Sequence, residues 1–183
     1  IRLFLKTEEQ SAVYHEGVRM FSRKATKTTK TILFVCTGNV FRSMVAEYAL
    51  KAHLKWNAAY GVESAGIRAV TQPMLPLLRE RLRAKGIDPR GHRPRQLTEK
   101  MLKKADLAIA MSIDHQEFIK QEFGQEVPLF SQAVFDTIEP VLDVHEVIPN
   151  WETRLPESRD YILSVVDRIW TAMPILLTRL PKP

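Results

Sequence analysis

The chain has 183 residues, the size of one domain and enough to bury a single core. Hydrophobic residues at 45% and charged ones at 26% are ordinary globular values, which excludes disordered, collagen-like and coiled-coil classes, and no run approaches the roughly 18 apolar residues needed to span a bilayer. An excess of 27 basic over 21 acidic residues, a net charge of +6, favours anionic partners such as nucleic acid, an acidic membrane surface or phosphorylated substrates without choosing among them. The single cysteine, Cys36, rules out an intramolecular disulfide and any zinc site built from several thiolates.

The chain opens IRLFLK, too short an apolar stretch for a signal peptide and without a small-residue cleavage pattern, so a cytoplasmic location is expected. The absence of Met at position 1 points to a trimmed or partial chain. Thr7-Glu8-Glu9-Gln10 fits a capping box and predicts a helix over 8–21. Residues 22–30, SRKATKTTK, contain Arg23, Lys24, Lys27 and Lys30 with no acid among them, and read as a solvated basic linker. Residues 1–30 are therefore taken as an N-terminal extension and 31–183 as the domain.

From Thr31 the pattern changes to alternating strands and helices. TILFVC, 31–36, is a buried parallel strand by its β-branched and aromatic content. Residues 44–56 repeat apolar side chains at helical spacing through Val45, Tyr48, Ala49, Ala52 and Trp56. A weaker strand follows at 60–64. Pro73 is expected to open a helix carrying Leu75, Leu78 and Leu82, with Gly86 as its left-handed stop. Residues 106–111 and 127–130 read as two more strands around a helix near 114–123 that ends at Gly124. The last helix runs from Ser158 to about Leu180, with a kink expected at Pro174. Four strands alternating with helices predict a doubly wound α/β domain: one four-stranded parallel sheet covered on both faces, with its site at the carboxyl ends of the strands.

Cys36 ends the first strand and opens Cys36-Thr37-Gly38-Asn39-Val40-Phe41-Arg42-Ser43, directly before a helix. A short strand-to-helix loop turns successive backbone N–H groups toward one point, where the helix N-terminus adds about half a positive charge. Gly38 and Asn39 are residue types that tolerate the left-handed backbone such an anion cradle requires. A thiol in that field is expected to ionise below its free pKa of about 8.5 and serve as a nucleophile. Arg42 can grip two phosphoryl oxygens side by side, and Ser43 can donate to the thiolate. These are the parts for phosphoryl transfer through a phosphocysteine.

Val35 to Ser43 resembles the V-C-x-G-N-x-C-R-S signature of the low-molecular-weight protein tyrosine phosphatases. The likeness continues through Ser64-Ala65-Gly66, Gly86-Ile87, His92, Arg95-Gln96-Leu97 and Ala110-Met111, over roughly residues 31 to 180. It implies the flavodoxin-like phosphotyrosine phosphatase I fold, a metal-independent and cofactor-free phosphatase, and a loop of Thr37, Gly38, Asn39, Val40, Phe41 and Ser43 around the phosphoryl group. It also implies that Asn39, Ser43, Ser64 and His92 form the network holding the loop open. Phe41 stands where many family members have a second cysteine, so the family's protective disulfide and the intramolecular relay of related arsenate reductases are unavailable to this chain. Val40 stands where members acting on arginine phosphate carry Thr, and an apolar side chain there suits the face of phosphotyrosine.

The family's general acid is an Asp, usually followed by Pro, in the loop before the last helix, and no Asp-Pro occurs in 135–153. Spacing to the final helix matches Ile148-Pro149-Asn150-Trp151 to that loop, which puts Asn150 at the acid's position and Trp151 at the pocket wall. An amide cannot cycle a proton. Asp143 is the nearest upstream aspartate and serves if the loop folds differently; Asp136 and Glu146 are further candidates. The expected partner is a phosphotyrosine protein or small phosphomonoester, with phosphate or another oxyanion in the loop and neither membrane nor nucleic acid. The alternatives are a weakly active phosphate-binding protein, if Asn150 holds the acid's place, and an arsenate reductase using an external thiol.

Overall fold

A computed structural model describes residues 29–69 and 71–183. The helix expected over 8–21 and most of the basic linker lie outside the described residues. The elements run β1 (Lys30–Cys36), α1 (Arg42–His53), β2 (Tyr60–Gly66), α2 (Pro76–Ala84), a 3-10 turn (Pro89–Gly91), α3 (Glu99–Lys104), β3 (Leu107–Ala110), α4 (Ile113–Phe123), α5 (Phe130–Phe135), α6 (Val144–Val147) and α7 (Leu155–Arg179). Lys30 belongs to β1 rather than to a linker, and its ammonium lies 3.0 Å from Asp106.

The sheet is parallel with order β2-β1-β3. It has three strands among the described residues, not the four expected. Residues 127–130 reach β3 through a single bridge, Ala110 to Leu129, in which the Ala110 N–H donates to the Pro128 carbonyl at 2.9 Å. The ladder stops there because its backbone groups are spent elsewhere. Pro128 has no N–H, the Leu129 N–H donates to Gln132 Oε1 at 2.8 Å, and the Val127 carbonyl accepts from Gln116 Nε2 at 2.7 Å. Leu129 thus caps α5 instead of extending a strand.

β1 is central and buried on both faces, as its unbroken apolar sequence requires. Ile32, Phe34 and Cys36 enter the larger core with α1, α2 and α7, whereas Leu33 and Val35 enter a smaller one with Leu97, Leu102 and Ile119. The helix expected at Pro73 begins at Pro76, which occupies its first turn, and Gly86 takes the left-handed φ of 78° just beyond its end. α7 is long and apolar enough by length and composition to cross a membrane; here Ile162, Val166, Ile169, Met173 and Leu176 bury its inner face in the larger core. It continues through Pro174, with buried side chains on both sides of the proline.

Candidate active site

β1 delivers Cys36 to the carboxyl edge of the sheet, and α1 starts six residues later at Arg42. The intervening loop is held on its outer side by β2's continuation. The carbonyls of Cys36 and Thr37 accept from the N–H groups of Ile67 and Arg68, both at 2.9 Å. Among the described residues, the N–H groups of Gly38, Asn39, Val40 and Phe41 donate to no protein acceptor. A row of unspent amides ahead of a helix N-terminus is an anion cradle.

Asn39 is the hub of the loop. Its φ of 57° lies in the left-handed region, and the residue is fully buried. Its Nδ2 donates to Ser64 Oγ at 2.7 Å and to Ser43 Oγ at 3.0 Å, its Oδ1 accepts from the Arg95 N–H at 2.9 Å, and its carbonyl accepts from His92 Nε2 at 2.7 Å. Asn39, Ser43, Ser64 and His92 therefore form one hydrogen-bonded set. Burial holds the His92 imidazole below its ordinary pKa, against the opposing pull of that carbonyl, so the ring favours its neutral form. Glu47, which sequence reasoning missed, anchors the set from α1. It is a buried carboxylate that accepts from Ser64 Oγ and pairs with Lys51 and Arg95. Ser64 spends its proton on Glu47, so it accepts from Asn39. Ser43 likewise accepts from Asn39, so its own proton goes to the Cys36 sulfur 2.9 Å away or to the Ala65 carbonyl at 3.4 Å, and the sulfur is the nearer acceptor.

Arg42 is 1% exposed. Its Nη1 donates to the Val141 carbonyl at 2.9 Å and lies 3.3 Å from Glu146; its Nη2 donates to Thr37 Oγ1 at 3.2 Å and lies 3.1 Å from Asp143. The fifth donor, on Nε, is buried and has no partner among the described residues. A buried, unspent guanidinium N–H is costly unless an acceptor comes to it, and an oxyanion in the cradle is such an acceptor. Asp143 caps α6 and Glu146 accepts from the Asp143 N–H. Both carboxylates thus sit against the guanidinium.

Asn150 is not brought to this cluster. α6 takes up the residues after Asp143, and Asn150 stands exposed in a turn at φ 54°, its carbonyl accepting from the Thr153 N–H. The spacing match to the family loop did not include this short helix, which separates Asn150 from Asp143. Asp136 is also elsewhere, paired with Arg179 on the surface. Trp151 packs half-buried against the larger core and lines a surface cleft together with Leu75, Leu155 and Ile162. Val40 is half-buried and Phe41 is buried in the larger core.

A sequence model of the family described as low molecular weight phosphotyrosine protein phosphatase matches residues 31–180. A low molecular weight protein-tyrosine-phosphatase of Acinetobacter johnsonii is 38% identical over 96 residues, 50% of this chain and 63% of that protein, so the aligned stretch spans less than two thirds of the relative. A protein-arginine-phosphatase of Bacillus subtilis is 34% identical over 116 residues, 62% of this chain and 74% of that one. Among solved structures, a low molecular weight protein tyrosine phosphatase from T. tengcongensis superposes with a TM-score of 0.70 at 26% identity, covering 82% of this chain and 99% of the other.

Proposed function

Since the chain belongs to the low molecular weight phosphotyrosine protein phosphatase family, we propose that it hydrolyses phosphotyrosine-type monoesters through a phosphocysteine on Cys36. The observation that carries this is the unspent donor set, four loop amides and the Arg42 Nε–H, in the same loop and helix start as a cysteine whose sulfur lies 2.9 Å from the Ser43 hydroxyl oxygen. The thiolate attacks phosphorus in line and the ester oxygen leaves. The amides and Arg42 stabilise the charge spread over the three equatorial oxygens. Asp143 is the carboxyl group beside Arg42 that protonates the departing phenolate and then takes a proton from the water that cleaves the phosphorus–sulfur bond. Ser43 stabilises the thiolate when it is released.

The deciding experiment is hydrolysis of p-nitrophenyl phosphate by the wild type and Cys36→Ser. The wild type turns over and the variant does not; equal rates, or an inert wild type, refute the proposal. Asp143→Asn is expected to lower kcat by about 10² to 10³ and to make it more sensitive to leaving-group pKa, whereas Asn150→Asp is expected to gain nothing. A sharp gain in Asn150→Asp would restore Asn150 to the acid's position. Val40 at the loop favours an aromatic ester, and phosphotyrosine and phosphoarginine peptides compared side by side test that preference.

A further inference from the structure

His115 is fully buried at the start of α4, 78 residues from the loop, yet it reaches the loop directly. Its Nδ1 lies 3.1 Å from the Ser112 backbone nitrogen, which can only donate. Nδ1 is therefore an acceptor, and the ring's proton is on Nε2. That Nε2–H points at Thr37 Oγ1, 2.9 Å away. Thr37 Oγ1 receives a second donor, Arg42 Nη2 at 3.2 Å. A hydroxyl has two lone pairs and one proton. With both lone pairs engaged by donors, the Thr37 hydroxyl has no role left to it except to donate.

We infer that His115 is a positioning residue that turns Thr37 into an obligate hydrogen-bond donor to the oxyanion in the loop, adding a side-chain donor to the amides and Arg42. Bound to the same hydroxyl, Arg42 Nη2 is also fixed in angle, with its unspent Nε–H beside it. The charged neighbours of the ring are Asp114, whose Oδ2 is 3.6 Å from Nε2, Arg42 and Asp143. Burial keeps the imidazole neutral by moving its pKa down to about 4, with Asp114 opposing the shift and Arg42 adding to it. A neutral ring is what the arrangement needs, because a protonated Nδ1 would face the Ser112 N–H as a second donor. The Ser112 hydroxyl donates to Asp114, so the donor that fixes Nδ1 as an acceptor is the Ser112 backbone N–H, with the hydroxyl oxygen 2.8 Å from the same nitrogen.

The assignment rests on the phosphatase reading for its effect on turnover, but its effect on anion binding is independent of turnover. Titration calorimetry with inorganic phosphate therefore accompanies p-nitrophenyl phosphate kinetics. Thr37→Val keeps the side chain's shape and removes its hydroxyl. It is expected to weaken phosphate binding and lower kcat/KM about tenfold, as loss of one hydrogen bond to a charged group does. His115→Phe is expected to do the same, while Thr37→Ser and His115→Gln, which keep the donors, recover the greater part. Because His115 acts through Thr37, His115→Phe costs nothing further in the Thr37→Val background. In the wild type a slowly exchanging His115 Nε2–H resonance is expected by NMR, and it shifts in Thr37→Val; this variant and signal carry the test if His115→Phe does not fold. Wild-type phosphate affinity in Thr37→Val, or equal losses from His115→Phe in both backgrounds, overturns the inference. An inert wild type that still loses phosphate affinity in Thr37→Val overturns the phosphatase reading alone.

Discussion

Gly66 shows how little room the loop leaves. A Cβ at this position would stand 2.5 Å from the Thr37 carbonyl oxygen and 3.0 Å from both the Asn39 nitrogen and the Gly38 carbonyl carbon, all of them backbone atoms that cannot swing away. Gly66→Ala is therefore expected to push the loop off its amide-converging shape. It should raise the inorganic phosphate Ki at least tenfold with the far-ultraviolet circular dichroism of the fold retained; an unchanged Ki would show that the loop yields. His115 carries a second residue-scale consequence. Its folded pKa of about 4 lies below the roughly 6.5 of an unfolded histidine. The unfolded chain therefore takes up the proton first on acidification. The contribution is full above about pH 6.5 and is lost as pH falls toward 4, by up to about 3 kcal/mol. Urea unfolding of wild type and His115→Gln at pH 7 and pH 4 measures it, because glutamine does not titrate while every other acid-sensitive group is shared. The stability gap between the two should shrink at pH 4.

At the scale of elements, β1 does two jobs with one alternation. Phe34 is fully buried in the larger core, its ring 6.4 Å from that of Phe130, while Cys36, two residues on, follows the same face to the site. Phe34→Ala should lower the unfolding free energy by about 3 to 5 kcal/mol in urea titration, with Phe34→Leu losing far less, since the cost tracks the cavity left behind. The fourth strand fails for a reason that is local and polar. An apolar run with β-branched and aromatic residues satisfies a strand pattern, but Pro128 lacks a donor and Gln132 and Gln116 capture the neighbouring backbone groups. Periodicity reports which side chains are buried, not where a main-chain hydrogen bond goes.

Over the whole molecule, six of the basic residues and three of the acidic ones precede Thr29, so half of the net charge of +6 belongs to residues 1–28 and half to the domain that carries the site. A positive molecule attracts a phosphorylated ligand before contact, and salt weakens that attraction. Raising ionic strength from about 20 to about 200 mM shortens the screening length from roughly 20 to 7 Å. It should lower kcat/KM for a phosphotyrosine peptide severalfold while kcat stays within about twofold. An equal fall in both would place the salt effect in the loop rather than in encounter.

The α/β class, β1 with its terminal cysteine, the loop and the helix behind it were legible because they depend on contiguous residues: an apolar run, then a loop in which Asn39, though not Gly38, takes the left-handed turn, then Arg and Ser at the start of a helix. Ser64 and His92 were found only through the family resemblance, and Glu47 and His115 not at all. Their partners lie 17 and 78 residues away, and no local pattern marks a buried polar residue by its partner. The carboxylates beside Arg42 followed the same rule. Counting back from the last helix led to Asn150, and the fold placed Asp143 beside Arg42 because α6 consumes the residues between. Sequence by itself determined the family, the α/β class and the loop motif that opens at Cys36. Only the tertiary structure decided which carboxylates face the guanidinium and which way each hydroxyl donates, because those are contacts between segments that sequence order leaves unrelated.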